Sequence, residues 1–158
     1  MTLKEYQQEA LKFRTPESDN AEYLHLGLIA EVGEVAGKLA KKIRDGVFDE
    51  KAFIKELGDV LWFVANIAEK CGFEFSKKRM CSSDMAIEKC IYRLSEYAGM
   101  SYIHSDIVSD YVIPRMMGIL QILAGKFGYT IEDVAEINIA KLRDRQFRGV
   151  INGNGDER

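Results

Sequence analysis

The chain has 158 residues, of which 47% are hydrophobic and 30% are charged, and this composition is typical of one globular domain. Its net charge of -3, with no dominant basic patch, argues against nucleic acid as the main partner. No apolar run approaches membrane-spanning length and the first residues lack an apolar signal core, so we expect a cytoplasmic protein with no membrane partner. The three cysteines lack metal-ligand spacing and indicate reduced thiols.

Helical periodicity dominates the first half of the chain. A first helix is predicted over residues 2–13, and the turn-forming residues 15–20 separate it from a long helix over about 21–44. Asp49 can cap a third helix that reaches Lys70. Because the link between the second and third helices is short, we expect them to lie antiparallel.

The next part of the chain is also predicted to be helical, with weaker boundaries. The mixed, basic residues 73–82 precede a predicted helix over about 83–98 and a loop around Gly99. Another helix is expected over about 105–127, and Pro114 should kink it or mark a helix start within it.

A capping box marks the start of the last predicted helix. Thr130 and Asp133 have the spacing of that motif, and the helix should end near Phe147. The Gly/Asn-rich residues 149–158 are expected to form a flexible C-terminal tail. The whole pattern predicts an all-α helical bundle with a single domain over residues 1–148.

Two acidic pairs carry most of the functional information. Glu31 and Glu34 lie three residues apart on the second helix, and Glu56 and Asp59 do so on the third. Apolar and small residues surround both pairs, and buried carboxylates are costly unless they are compensated. Antiparallel helices could aim all four at one point, where like charges need cations. Without a nearby His or Cys, the pattern predicts a hard cation, Mg²⁺ or Mn²⁺.

Three further side chains near the acidic pairs each have two interpretations. Lys38, one turn beyond Glu34, could pair with that carboxylate or reach a substrate phosphate. Trp62, beside Asp59, is either a core residue or a surface on which a base stacks. Asn66 either bonds a sugar or a water molecule, or satisfies a buried polar contact.

The residues around the acidic pairs resemble the MazG-like nucleoside triphosphate pyrophosphohydrolases of the all-α NTP pyrophosphatase superfamily. The segments Gly-Leu-Ile-Ala-Glu-Val-Gly-Glu-Val-Ala and Lys-Glu-Leu-Gly-Asp-Val-Leu-Trp-Phe-Val match the signature E-x-x-E, spacer, E-x-x-D. The resemblance implies Mg²⁺-dependent hydrolysis of a (d)NTP to the monophosphate and pyrophosphate, in nucleotide-pool control. It also implies a homo-oligomer, a dimer or tetramer, and it assigns four residues to the metal: Glu31, Glu34, Glu56 and Asp59.

The same resemblance gives roles to cations of the last helix. Lys141 and Arg145, in an Asn-x-x-Lys-x-x-x-Arg segment, would contact the substrate phosphates. They are four residues apart on one helix face, and cations there stabilise charge on a phosphoryl group and its leaving pyrophosphate. Among the carboxylates, Glu34 is the expected catalytic base.

Residues 76–128 depart from the pattern of short family members, in which the E-x-x-D helix runs almost directly into the last helix. We expect an insertion or a degenerate second copy of the core, since residues 65–73 parallel residues 121–129. Such a segment leaves open whether the last helix serves its own chain's site. Two other functions remain open: a nucleotide- or alarmone-binding regulatory module with little turnover, and an interaction protein whose carboxylates pair with lysines such as Lys38, Lys41 and Lys55.

Overall fold

The protein is all-α, as the sequence predicts. A computed structural model describes residues 1–75, 84–102 and 108–150, and no strand occurs among them. These residues form six α-helices, with a short π-helical turn at Val108–Val112 before the fifth. The helices are α1 (Leu3–Leu11), α2 (Ala21–Asp45), α3 (Glu50–Lys70), α4 (Ile87–Met100), α5 (Ile113–Gly125) and α6 (Ile131–Phe147).

Helix α3 is the centre of the bundle. It packs against α1, α2, α5 and α6, and most of its side chains are buried. Helix α2 packs against α3 and α4. Phe63, near the end of α3, lies against Gly27, near the start of α2, whereas Glu56 is paired with Lys38, further along α2. The predicted antiparallel arrangement of these two helices is therefore confirmed.

The predicted helix boundaries are confirmed where a side chain caps the backbone. Asp49 accepts a hydrogen bond from the backbone N–H of Ala52 at 2.9 Å and begins α3. Thr130 and Asp133 form the predicted capping box at the start of α6. Pro114 lies in the first turn of α5, so it marks a helix start, the second of the two roles predicted for it.

The predicted loop around Gly99 is wrong, because Gly99 lies inside α4. The buried side chains of Leu94, Tyr97 and Ala98 continue the helix to its end, and burial of that face outweighs the ~1 kcal/mol that a helical glycine costs. The same helix was predicted to begin near residue 83, but it begins at Ile87. Residue 83 itself lies outside the described residues.

The two segments with parallel sequences share a helix ending. Gly72 and Gly128 have φ angles of 70° and 78°, in the left-handed region. The N–H of Phe73 donates to the carbonyl of Ala68 at 2.8 Å, and that of Tyr129 donates to the carbonyl of Ala124 at 3.1 Å. This common C-cap accounts for part of the sequence similarity. Most of the predicted tail, residues 151–158, lies outside the described residues, and no described helix is long and apolar enough to cross a membrane.

Candidate metal centre

Helices α2 and α3 bring three of the four predicted carboxylates together. Glu31, Glu56 and Asp59 each offer an oxygen, and these oxygens lie within 4.8 Å of one another. Glu56 and Asp59 meet because residues three apart share a helix face, and Glu31 joins them because α2 runs antiparallel to α3. Glu34 is exposed and lies outside this cluster.

Crowding of the carboxylates changes the proton affinity of Glu31. Partial burial raises its pKa to about 8, and the negative charges of Asp59, Glu34 and Glu56 add to the increase, while Lys141 opposes it. The site without a metal ion therefore holds a proton on Glu31 at neutral pH. A divalent cation that replaced this proton would remove the repulsion.

Two lysines, one from α2 and one from α6, pair with carboxylates of the cluster. The Nζ of Lys38 lies 2.9 Å from Oε1 of Glu56, a carboxylate that is only 2% exposed. The Nζ of Lys141, from α6, pairs with Oδ2 of Asp59. Lys141 therefore reaches the acidic residues of its own chain, which the sequence left open. Lys38 thus pairs with Glu56, whereas Glu34 was the partner suggested in one of its two interpretations.

A buried hydrogen-bond chain fixes the orientation of Asp59. The Nδ2 of Asn138 donates to Oδ1 of Asp59 at 3.1 Å, and the hydroxyl of Tyr6 donates to Oδ1 of Asn138 at 2.8 Å. Burial and the charge of Asp59 raise the pKa of the Tyr6 phenol well above its usual value, so this hydroxyl remains a donor. Gly58 makes room for the contact, because a Cβ there would lie 2.9 Å from Cβ of Asn138.

Sequence patterns alone did not single out Asn138 or Tyr6 as site residues. A signal for Asn138 was present, since it precedes Lys141 by three residues and shares its helix face. No such signal exists for Tyr6 in the sequence, because this residue fits the apolar stripe of α1 and its partner, Asn138, is 132 residues away. The contact with Asn138 explains why a glycine, Gly58, stands between Glu56 and Asp59.

The other predicted site residues, Arg145, Trp62 and Asn66, are also buried. Arg145 is buried on α6, one turn beyond Lys141. Trp62 is buried and donates from Nε1 to the carbonyl of Ala10 at 3.1 Å, which favours the core interpretation. Asn66 is fully buried and donates from Nδ2 to the carbonyl of Trp62 at 2.8 Å, while its Oδ1 accepts no hydrogen bond among the described residues.

The donors fit a hard divalent cation. All three are carboxylate oxygens, the ligands that Mg²⁺ and Mn²⁺ prefer, and no His or Cys is part of the cluster. The spread of 4.8 Å is slightly wider than the roughly 4 Å that separates opposite ligands of Mg²⁺.

The fold and the site define a class: an α-helical protein with a carboxylate centre between two antiparallel helices. Residues 19–94 match the family model of the MazG nucleotide pyrophosphohydrolase domain, so the predicted resemblance to that family is confirmed. The match contains all of α2 and α3, and it extends into α4. It therefore includes part of the segment expected to be an insertion, and it excludes α6.

A curated relative covers a shorter stretch. The chain is 42% identical over 53 residues to the Gene 37 protein of Mycobacterium phage L5. The aligned part is 30% of this chain and 46% of that protein, so the chain spans about half the length of the relative. No solved structure matches the chain.

Proposed function

We propose that the protein is a Mg²⁺-dependent nucleoside triphosphate pyrophosphohydrolase that acts in nucleotide-pool control. The observation that carries the proposal is the convergence of Glu31, Glu56 and Asp59, with Lys38 and Lys141 at the same point. Carboxylates beside lysines suit a ligand that combines a divalent cation with phosphate groups. The match of residues 19–94 to the MazG family model supports this class of reaction.

The three clustered carboxylates would hold the ion, Mg²⁺ or alternatively Mn²⁺, and Glu34 would complete the set from the exposed side of α2. When bound, the ion would stabilise negative charge on the phosphoryl oxygens of the substrate. The hydrogen bonds from Asn138 and Tyr6 would keep Asp59 in one orientation, so that little side-chain freedom is lost on binding.

The protein groups around the carboxylates would carry out the remaining steps. Glu34 would accept a proton from the attacking water as the new bond to the α-phosphorus forms. The bond between the α-phosphorus and its bridging oxygen to the β-phosphorus would break, and pyrophosphate would leave. Lys38, Lys141 and Arg145 would neutralise the charge on the phosphates. Trp62 and Asn66 remain proposed contacts for the base or sugar, although both are buried and would have to move.

The test is a panel of NTPs and dNTPs, incubated with Mg²⁺ or Mn²⁺, with separate measurement of pyrophosphate and orthophosphate. We expect monophosphate and pyrophosphate in equal amounts, and at least a ~100-fold loss of kcat/KM in Glu56→Gln and Asp59→Asn. Glu22→Gln, an exposed change on the same helix as Glu31, is the matched control and should retain activity. Wild-type rates in both site variants would refute the assignment.

Two results would favour the other functions. Tight Mg²⁺-dependent nucleotide binding without pyrophosphate release would indicate a regulatory module. An interaction protein held together by salt bridges such as Lys38–Glu56 predicts that millimolar Mg²⁺ leaves the melting temperature unchanged. A metal-binding enzyme should instead be stabilised by ~2.7 kcal/mol when Mg²⁺ is present at 100 times its Kd.

A further inference from the structure

One face of α2 carries a row of side chains along its groove with α3. Tyr23, Gly27 and Glu31 are spaced four residues apart and share this face. Lys38, seven residues beyond Glu31, continues the row. Tyr23 and Gly27 lie against Phe63 of α3, Glu31 joins the carboxylate cluster, and Lys38 pairs with a carboxylate of that cluster. Along α2 the groove therefore passes from aromatic through acidic to basic side chains.

Two rings, Tyr23 and Phe63, form what we call the aromatic end of the groove. Their centroids are 5.8 Å apart and their planes are inclined by 44°. Gly27 makes room for this arrangement, because a Cβ there would lie 2.2 Å from the Phe63 ring. Phe63 is only 6% exposed, whereas Tyr23 is 46% exposed. Phe63 therefore supports the pair from inside the bundle, and Tyr23 presents an aromatic surface to the solvent.

Trp62 lies behind the aromatic end and has a structural role there. Its ring meets that of Phe63 edge-on, with centroids 4.9 Å apart. Its Nε1 donates to the carbonyl of Ala10, and the residue is buried. A ligand in the groove would reach Trp62 only by displacing these contacts, whereas it would reach Tyr23 without moving any buried residue.

The aromatic end lies close to the carboxylates. Phe63 follows Asp59 by one helical turn, and Gly27 precedes Glu31 by one turn, so each of these steps is ~6 Å along the helix axis. Tyr23 is one turn further out, ~12 Å from Glu31 along the axis of α2. The order of aromatic, acidic and basic side chains is also the order of the parts of a nucleotide that binds through a divalent cation. Its base comes first, and its metal-bound phosphates follow.

We propose that Tyr23 stacks on the base of the nucleotide, at the end of the groove opposite Lys38. Every base has a π-face, so an accessible aromatic ring can bind a base without a matching set of hydrogen-bond partners. Inorganic polyphosphates would share the metal and lysine contacts but gain nothing from Tyr23. The residue would therefore select nucleoside triphosphates over polyphosphates that lack a base. This inference deepens the proposed function and rests on it for the identity of the ligand.

The first test measures binding without turnover, by titration calorimetry in the presence of Mg²⁺. The probes are an α,β-methylene nucleoside triphosphate, in which a CH₂ group replaces the bridging oxygen of the scissile bond, and inorganic tripolyphosphate. Tyr23→Leu should raise the Kd of the nucleotide probe by roughly 10-fold or more and leave that of tripolyphosphate within about 2-fold. Tyr23→Phe keeps the ring and should bind both probes as the wild type does. Tyr92→Leu, at a position that is 71% exposed on α4, is the matched control and should change neither Kd.

Several results would overturn the proposal. One is a Tyr23→Leu variant that binds the nucleotide probe as tightly as the wild type does. A second is an equal loss for both probes, which would show that the residue shapes the phosphate site instead of contacting the base. A third is a loss in Tyr23→Phe, which would assign the contact to the hydroxyl. Circular dichroism verifies folding, and Tyr23→Met, which keeps Phe63 covered, replaces Tyr23→Leu if the leucine variant does not fold.

The second test separates this inference from the proposed function through steady-state kinetics. Because stacking is equally strong in the ground state and the transition state, Tyr23→Leu should raise KM for a triphosphate by roughly 10-fold with kcat within about 2-fold. An active wild type with an unchanged KM in Tyr23→Leu would refute the stacking and leave the hydrolase proposal standing. A wild type that releases no pyrophosphate, together with a selective loss of the nucleotide probe in Tyr23→Leu, would refute the hydrolase proposal and support the stacking.

Discussion

The carboxyl group of Glu31 should make the stability of the metal-free protein depend on pH. Its pKa in the folded protein is raised from 4.5 to about 8, chiefly by burial and then by the neighbouring carboxylates. A raised folded-state pKa means that the folded protein binds the proton more tightly than the unfolded chain does. The contribution to stability is therefore complete below about pH 4.5 and is lost as the pH rises through about 8.

The size of this effect follows from the pKa of Glu31. Each pKa unit corresponds to ~1.4 kcal/mol, so the rise to about 8 gives an upper limit of roughly 5 kcal/mol. Partial exposure of the side chain allows solvent screening, and we therefore expect a change on the order of 2 kcal/mol. Substitution by Gln keeps the shape of the side chain and removes the titration. The variant should gain stability relative to the wild type as the pH rises.

The assay is urea unfolding in the presence of EDTA at about pH 5 and about pH 8.5, with the wild type, Glu31→Gln and the control Glu22→Gln. The free energy of unfolding of the wild type minus that of Glu31→Gln should fall by ~2 kcal/mol between these pH values. Saturating Mg²⁺ should reverse the wild-type loss, because an ion that binds the ionised carboxylates stabilises the folded state. A difference that stays constant with pH would refute the crowding of charges at Glu31.

Three other predictions follow from contacts around the site. Tyr6→Phe removes the donor to Asn138 and should cost ~1–2 kcal/mol in urea unfolding, with weaker Mg²⁺ binding by calorimetry; unchanged values would contradict the positioning role. Gly27→Ala places a Cβ 2.2 Å from Phe63 and should cost ~1–3 kcal/mol, so a neutral result would contradict the close packing. Lys141→Met removes a cation that competes with the metal ion, so Mg²⁺ alone should bind no more weakly while KM for a triphosphate rises ~10-fold or more; weaker Mg²⁺ binding would contradict this competition.

The fold was largely predictable because its signals are local. Capping residues, a short link and apolar periodicity specify α1 to α3 and α6 without reference to the rest of the chain. The error at Gly99 came from the same kind of evidence, since a glycine ends a helix only when its surroundings do not favour continuation. The helix continues past Gly99 because Tyr97 and Ala98 are buried against the rest of the protein. Sequence periodicity does not predict that packing.

In the site, too, the features set by local spacing were predictable and the long-range contacts were not. The spacing of Glu31, Glu56 and Asp59 is a local property of two helices, and it predicted the carboxylate cluster. The contact from Asn138 to Asp59 spans 79 residues, and spacing within one helix carries no information on such a contact. Glu34 shares a helix face with Glu31 but is exposed and lies outside the cluster, and the spacing of an i, i+3 pair does not predict that difference.

The lysine pairs explain how so many carboxylates can share one place before an ion arrives. Lys141 neutralises Asp59 and Lys38 neutralises Glu56, while Glu31 keeps its proton near neutral pH. A divalent cation must displace these positive charges to bind, and the displaced ammonium groups remain within one side-chain length of the ion. Phosphate groups bring negative charge to the same place, where the lysines could bind them. Ion and triphosphate should therefore bind together more tightly than either binds alone, which is the behaviour expected of a site that takes both.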